Sequence, residues 1–175
     1  MKSFIKLTVI SYMEKIFKVL LYLCRVLKLS AIVNLIRLSY WRANKLTFGL
    51  NFKIYASVVI RHPECVVIGN SVSIAEFVHI WGAGGVVIGD DTLIASHCVI
   101  TSQTHTIGSK LFRETLEIKP VTIGKNVWIG ASATILPGIT IGDGSVIGAG
   151  SVITKNVPEG SVVAGIPAKF IRTIK

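Results

Sequence analysis

Residues 123–153 read IGKNVW IGASAT ILPGIT IGDGSV IGAGSV I, and isoleucine begins every hexad. An α-helix repeats every 3.6 residues and a plain strand every two, so neither explains a period of six. Small or aliphatic residues also recur four positions after each isoleucine. They are Val127, Ala133, Ile139, Ser145, Ser151 and Val157. Such a fixed hexad is typical of a parallel β-helix, in which short strands stack into coils around a continuous aliphatic column.

The hexads also predict how the coils stack. Three hexads make one triangular coil, so each isoleucine should lie on the isoleucine 18 residues later, about 4.8 Å along the axis. We therefore expect Ile123 to stack on Ile141, and Ile129 on Ile147. Glycine follows four of the isoleucines, and we expect these glycines to adopt corner conformations that a Cβ atom penalises. A buried aliphatic side chain contributes about 1.5 to 3 kcal/mol, so the column can stabilise a fold without a large globular core.

Breaks in the hexad phase predict loops that leave the coil. Ile54 and Ile60 begin the repeat irregularly, and the widest break separates Ile100 from Ile123. We predict a protruding loop over 106–120, and loops on a rigid scaffold often carry binding and catalysis. Pro158 and Pro167 are expected to end the repeat. The predicted organisation is an N-terminal helical segment over 1–48, the β-helix over 49–160 and a C-terminal tail over 161–175.

A length of 175 residues indicates one globular domain with an appendage, and a content of 51% hydrophobic and 16% charged residues is apolar for a soluble protein. The three cysteines, at 24, 65 and 98, are odd in number and lack C-x-x-C spacing. Neither a disulfide framework nor a zinc knot is suggested, and a reducing, cytoplasmic location fits best. No small-residue cleavage site follows a hydrophobic region, so no secretory signal is expected.

Positive charge is concentrated at the N-terminus. Residues 1–45 carry nine basic residues and one acid, so 9 − 1 gives +8 of the net +10. Residues 13–28 are predicted to form an amphipathic helix, and a second short helix is predicted over 31–43. Basic residues interleaved with aliphatics favour a lipid surface or a packed helix over nucleic acid. The predicted location is cytoplasmic, with peripheral contact to an anionic membrane as one alternative and packing on the protein as the other.

Four segments carry a resemblance to a known family. They are residues 127–130, 135–143, 147–155 and 163–169. Together they resemble the left-handed β-helix acetyltransferases with hexapeptide repeats, and most of all the sugar O-acetyltransferases of the maltose and galactoside kind and of exopolysaccharide clusters. The resemblance extends over about residues 50–172. It implies a mainly β, left-handed parallel β-helix, acetyl-CoA as co-substrate with no metal required, and a homotrimer.

The resemblance also implies an acceptor site. A histidine that precedes the protruding loop deprotonates the acceptor hydroxyl in this family, and the matching residue is His105. The chemistry suits imidazole, because a sugar hydroxyl is a poor nucleophile and needs a base that titrates near neutrality. On the residues alone, an exposed loop histidine is the alternative. His79, Glu76 and Trp81 are expected to bind the acceptor, although the family's maltose and galactoside members place an asparagine in the coil around 75–79.

The acetyl-CoA site is likewise implied by the resemblance, which places it in the groove between subunits along the late coils. The matching positions are Trp128, Ala131, Ala149, Thr154, Lys155, Lys169 and Arg172. Small residues allow the pantetheine arm to approach the backbone, and Lys169 and Arg172 are expected near the nucleotide phosphates. Ordinary corner packing is the alternative for the two alanines.

The predicted function is acetyl transfer to a saccharide or glycan hydroxyl by direct, general-base-assisted attack. Serine or xenobiotic acetyltransferases of the same fold are the alternative. A metalloprotein resembling γ-carbonic anhydrase needs a histidine triad, and the histidines at 62, 79, 97 and 105 include no pair five residues apart. A non-enzymatic scaffold recruited to membranes is a third class.

Overall fold

A computed structural model describes residues 29–108 and 110–174, which fall into two compact units divided between Ser39 and Tyr40. Helix α1 runs from Leu29 to Ala43, which confirms the short helix predicted over 31–43. The helix predicted over 13–28 lies outside the described residues. No helix within the described ranges is long and apolar enough to cross a membrane.

Three sheets of mainly parallel strands form the body of the protein, and the chain visits them in the repeating order A, B, C. Sheet A contains β1 (Thr47–Phe48), β4 (Val66–Ile68), β7 (Val86–Ile88), β12 (Val121–Ile123) and β15 (Thr140–Ile141). Sheet B contains β2 (Lys53–Ile54), β5 (Ser73–Ile74), β8 (Leu93–Ile94), β13 (Trp128–Ile129), β16 (Val146–Ile147), β18 (Ser161–Gly165) and β19 (Ala168–Thr173). Sheet C contains β3 (Val59–Arg61), β6 (His79–Trp81), β9 (Val99–Thr101), β14 (Thr134–Ile135) and β17 (Val152–Ile153).

The repeating visit to three parallel sheets confirms the β-helix predicted from the hexads. Ile123 lies in register with Ile141, and Ile129 with Ile147, as expected. The aliphatic rung side chains are buried inside the coil, and so are the six residues that follow the hexad isoleucines by four positions. The protein therefore has a narrow, continuous core of stacked rungs in place of a large globular one.

The early coils are longer than the 18-residue spacing predicts. Ile54 lies in register with Ile74, and Ile74 with Ile94, so each of these coils contains 20 residues. The repeat is nonetheless regular here, because the extra residues lie outside the strands at the corner between sheets C and A. The short 3-10 helix Pro63–Cys65 fills one of these corners.

The hexad glycines have a different role from the one expected. The left-handed conformation occurs two residues later, at Asn126 and Ser132, which have φ of 51° and 60°. Gly130 is required for space, because a Cβ atom there would lie 2.6 Å from the backbone nitrogen of Ala149 in the next coil. Close stacking of the coils therefore selects glycine at this position, and the corner conformation is carried by other residues.

The aliphatic column extends beyond residue 160, where the β-helix was predicted to end. Val163 of β18 is buried and lies in register with Ile147, which adds a further rung to sheet B. The segment assigned to a tail is then folded back, because β19 pairs antiparallel with β18. The basic end of the chain is thus part of the sheet.

Candidate active site

All the excursions from the coil occur at the corner where the chain passes from sheet C to sheet A, which we call the C–A corner. The excursions lie between Ile60 and Ile68, between Ile80 and Ile88, and between Ile100 and Ile123. The last is the longest, and it contains the antiparallel hairpin of β10 (Gln103–His105) and β11 (Leu116–Ile118). The predicted loop over 106–120 is therefore the outer part of this hairpin, which begins three residues earlier.

His105 is the last residue of β10, where it pairs with Leu116 on β11. It is exposed, and its imidazole forms no hydrogen bond or ion pair with the described residues. The hairpin thus holds the His105 backbone by strand pairing and presents the side chain to solvent. A base in this position can accept a proton from a substrate hydroxyl that approaches the C–A corner.

Ser102 anchors the base of the hairpin, although no sequence pattern predicts this role. This buried serine donates a hydrogen bond from Oγ to the carbonyl of Trp81 at 2.6 Å, and its Oγ accepts one from the backbone nitrogen of Gly84 at 2.8 Å. Its own carbonyl accepts a hydrogen bond from Lys119, the residue that follows β11. The Ser102 side chain therefore fixes the preceding excursion, and its backbone carbonyl fixes the end of the hairpin.

The three residues predicted to bind the acceptor are only partly brought together. His79 and Trp81 flank the buried Ile80 on β6, so both are exposed on the outer side of sheet C. Trp81 is in register with Thr101, directly before the anchor Ser102, and so lies beside the base of the hairpin. Glu76 lies before the start of β6, at the opposite corner, which passes from sheet B to sheet C.

The residues predicted to bind acetyl-CoA divide into three places. Thr154, Lys155 and Lys169 line one open cleft of about 310 Å³ at the C-terminal end of the β-helix. This cleft exists because β19 folds back along β18 and brings Lys169 towards the segment after β17. Two cations and a threonine hydroxyl there could contact phosphate groups.

The other four predicted positions lie outside this cleft. Ala131 and Ala149 occupy the same corner of successive coils, where the nitrogen of Gly150 donates to the carbonyl of Ala131 at 2.8 Å. Trp128 is 56% exposed on the outer side of sheet B, and Arg172 pairs with Val162 in that same sheet. A ligand that contacted all seven positions would have to extend along the late coils and around a corner.

The surroundings of two side chains, Asp90 and Cys98, shift their pKa values. The Asn70 backbone N–H donates to Asp90 at 2.8 Å and lowers the pKa of that carboxyl, with Lys125 acting in the same direction. Burial raises the pKa of the Cys98 thiol, whose sulfur contacts the carbonyl of Gly130. A raised pKa disfavours the nucleophilic thiolate. Within the described ranges, no three His, Cys, Asp or Glu residues are grouped so as to hold a metal ion.

Comparison with known proteins agrees with this architecture. A family model, the hexapeptide repeat of succinyl-transferase, matches residues 120–155. The chain is 40% identical over 115 residues to a putative lipopolysaccharide biosynthesis O-acetyl transferase of Escherichia coli (strain K12), and the match covers 59% of this chain and 58% of that relative. The chain spans about half the length of the curated relatives it matches.

Two solved structures extend the comparison to three dimensions. One is a galactoside acetyltransferase in complex with coenzyme A, with a TM-score of 0.72 and 38% identity over 74% of this chain and 65% of that chain. The other is a maltose O-acetyltransferase from Clostridium difficile 630, with a TM-score of 0.69 and 32% identity over 75% of this chain and 70% of that chain. Because sequence identity and a shared fold coincide over more than two thirds of the latter protein, this chain belongs to the hexapeptide-repeat acetyltransferases.

Proposed function

We propose that this protein is an acetyl-CoA-dependent O-acetyltransferase whose acceptor is a hydroxyl group of a saccharide or glycan. The observation that carries the proposal is the hairpin at the C–A corner, whose base contacts Trp81 and which presents an exposed His105 imidazole with no partner among the described residues. The names of similar proteins support the same class, since they include a galactoside acetyltransferase in complex with coenzyme A and a maltose O-acetyltransferase.

The reaction needs no covalent enzyme intermediate. His105 takes the proton of the acceptor hydroxyl as its oxygen attacks the thioester carbonyl, so a C–O bond forms and the C–S bond of acetyl-CoA breaks. The thiolate of CoA leaves and takes up a proton, and His105 returns to its neutral form by releasing the proton it accepted. His79 and Trp81 hold the acceptor in this proposal, and Glu76 contributes from the other end of β6.

The donor side of the proposal uses the late coils. Lys155 and Lys169 line the C-terminal cleft with Thr154, and two cations there suit the phosphates of CoA. Ala131 and Ala149 offer a backbone surface without bulky side chains for the pantetheine arm. Trp128 and Arg172 would contact the ligand where it crosses sheet B.

We further propose that the chain forms a homotrimer with sites at the subunit boundaries, as the resemblance implies. Exposed apolar side chains on the outer surface of the coil support an association of this kind, among them Val67, Val87 and Leu93. A site shared by two subunits predicts that a mixture of His105→Ala subunits with Lys155→Ala subunits regains activity, since some boundaries then contain both intact residues. Light scattering that finds an active monomer would contradict the shared site.

Peripheral contact with an anionic membrane is the last part of the proposal. Helix α1 exposes the apolar side chains of Ile32, Leu35 and Ile36, and it carries two arginines. An apolar helix surface beside cations binds anionic lipid, with about 1 kcal/mol for each cation near the surface. Co-sedimentation with anionic vesicles should be lost with added salt and in the double variant Leu35→Gln, Ile36→Gln. If this variant sediments with the vesicles as well as the wild type does, α1 does not bind the membrane.

The enzymatic proposal is tested by measuring thiol release from acetyl-CoA with a panel of acceptors. Saccharides should accelerate release in the wild type and fail to do so in His105→Ala, with acetylated sugar identified by mass spectrometry. Serine and aminoglycosides are included in the panel, because a preference for either would identify the alternative class. Absence of transfer to every acceptor would overturn the proposal.

A further inference from the structure

A second cleft of about 320 Å³ lies at the N-terminal end of the β-helix. Tyr40 and Trp41 belong to the last turn of α1, and Asn44 follows directly after it. The rest of the lining comes from the third strand and the residues around it. These residues are Val58, Val59, Ile60, Arg61 and Pro63.

The lining of this cleft has the chemistry of a sugar site. The rings of Tyr40 and Trp41 meet edge to face, with centroids 5.2 Å apart and an interplanar angle of 76°. The C–H face of a pyranose packs on such rings, since the aromatic face carries partial negative charge. The Asn44 Nδ2 donates to the carbonyl of Tyr40 at 2.8 Å, which orients the amide and leaves Oδ1 as an acceptor for a hydroxyl.

Arg61 makes the cleft cationic. It is exposed and forms no ion pair with any residue in the described ranges, and no carboxylate lines the cleft. A guanidinium group binds carboxylate and phosphate through two parallel hydrogen bonds. The composition of the cleft therefore suits a sugar unit that carries a negative charge.

Strand pairing connects this cleft to the acceptor residues of the proposed function. On neighbouring parallel strands, Val59 is in register with His79 and Arg61 with Trp81. Neighbouring strands lie about 4.8 Å apart, so the cleft begins one coil away from the residues that hold the acceptor. The carbonyl of Arg61 also accepts a hydrogen bond from Gly82, directly after Trp81, at 2.9 Å.

We propose that the cleft lined by Tyr40, Trp41, Asn44 and Arg61 is a second saccharide subsite, and that the acceptor is an oligosaccharide or longer glycan with an acidic sugar unit in this cleft. The inference rests on the proposed acetyl transfer at the C–A corner. A sugar unit bound one coil away would orient the reacting unit at His79 and Trp81, so longer acceptors would be acetylated more efficiently than single sugars.

The test compares kcat/KM for a monosaccharide, a neutral oligosaccharide and an oligosaccharide with one uronic acid. The wild type should favour the acidic oligosaccharide, and added salt should reduce this preference. Arg61→Ala and Tyr40→Ala should each reduce the ratio of oligosaccharide to monosaccharide kcat/KM by about tenfold, a loss typical of one removed polar or packing contact. Lys53→Ala, which removes an exposed cation from sheet B, is the matched control and should keep the wild-type ratio. An unchanged ratio in both cleft variants would overturn the subsite.

A binding measurement separates failure of the subsite from failure of the proposed function. Saturation-transfer NMR with the acidic oligosaccharide is carried out on His105→Ala and on His105→Ala, Arg61→Ala, so that no chemistry is required. Loss of contact in the double variant supports the subsite even where no acetyl transfer is detected. Equal contact in the two proteins overturns it even where transfer is detected.

Discussion

Replacement of His105 by alanine should separate catalysis from folding. The side chain is exposed and forms no hydrogen bond or ion pair with the described residues. Its removal should therefore change the free energy of unfolding by no more than about 0.5 kcal/mol. Loss of a general base lowers the rate by about 10²- to 10⁴-fold, which corresponds to about 3 to 5 kcal/mol in the activation free energy. We therefore predict a large loss of rate with almost no loss of stability.

The assay combines steady-state thiol release with thermal unfolding and calorimetric titration of acetyl-CoA. We expect a loss of kcat with the melting temperature and the acetyl-CoA affinity retained, and partial recovery of the rate on addition of imidazole. His97→Asn is the matched control, because it removes an imidazole at the other corner and asparagine tolerates the left-handed φ of 62° at this position. Retention of more than about a tenth of wild-type turnover in His105→Ala would refute the assignment, because that loss is far below the range expected of a general base.

Three other variants test the rest of the site. Ser102→Ala should lower the free energy of unfolding, measured in urea, by about 1 to 3 kcal/mol, because it leaves the Gly84 N–H without its partner. Its kcat should also fall, with little change in the KM for acetyl-CoA, because the hairpin that carries His105 loses its anchor. The double variant Lys155→Ala, Lys169→Ala should raise the KM for acetyl-CoA by about tenfold and weaken its salt dependence, whereas a change in kcat alone would contradict the phosphate role. Asp90→Asn tests the link between this carboxylate and stability. The folded-state pKa of Asp90 is lowered, so its stabilising effect is present at neutral pH and is lost as the pH falls through that pKa. The difference in melting temperature between variant and wild type should therefore close on acidification.

The aliphatic column could be predicted from the sequence because burial imposes a strict period. Every rung side chain must point into the coil once per hexad, so Ile123 and Ile129 identify their partners by spacing alone. The 20-residue coils were not predicted, although Ile54, Ile74 and Ile94 recur every 20 residues, because the 18-residue period of the late hexads was expected throughout.

The hexad glycines were recognised as a pattern in the sequence, but the physical reason expected for them was wrong. Glycine at Gly130 was expected for its conformational freedom, but the structure requires it because the backbone of the next coil fills the position of a Cβ atom. Residues that do adopt the left-handed conformation include Asn126, Ser132 and His97, which carry side chains. Neighbouring coils are distant in sequence, so this steric demand cannot be read from the local residues.

The candidate site was predictable only where a residue type carried the chemistry. His105 was selected through the family resemblance, which places a histidine directly before the protruding loop, and its role as a base stays a prediction. Ser102 could not be identified, because its importance depends on hydrogen bonds to two residues of the preceding excursion. The C-terminal cleft depends on the antiparallel return of β19, whose residues are mostly exposed and show no alternating burial.

The position of the excursions explains how one coil can combine a regular core with a variable site. An insertion at a corner does not disturb the rungs, since each strand pairs with strands of the neighbouring coils whatever the length of chain between them. The excursions after Ile60, Ile80 and Ile100 therefore stack at one corner while the aliphatic side chains of all three sheets stay in register. Arg61, Trp81 and Thr101 form a continuous row across these coils. On the proposed function, changes in this row and in the hairpin would alter the acceptor without altering the late coils that bind acetyl-CoA.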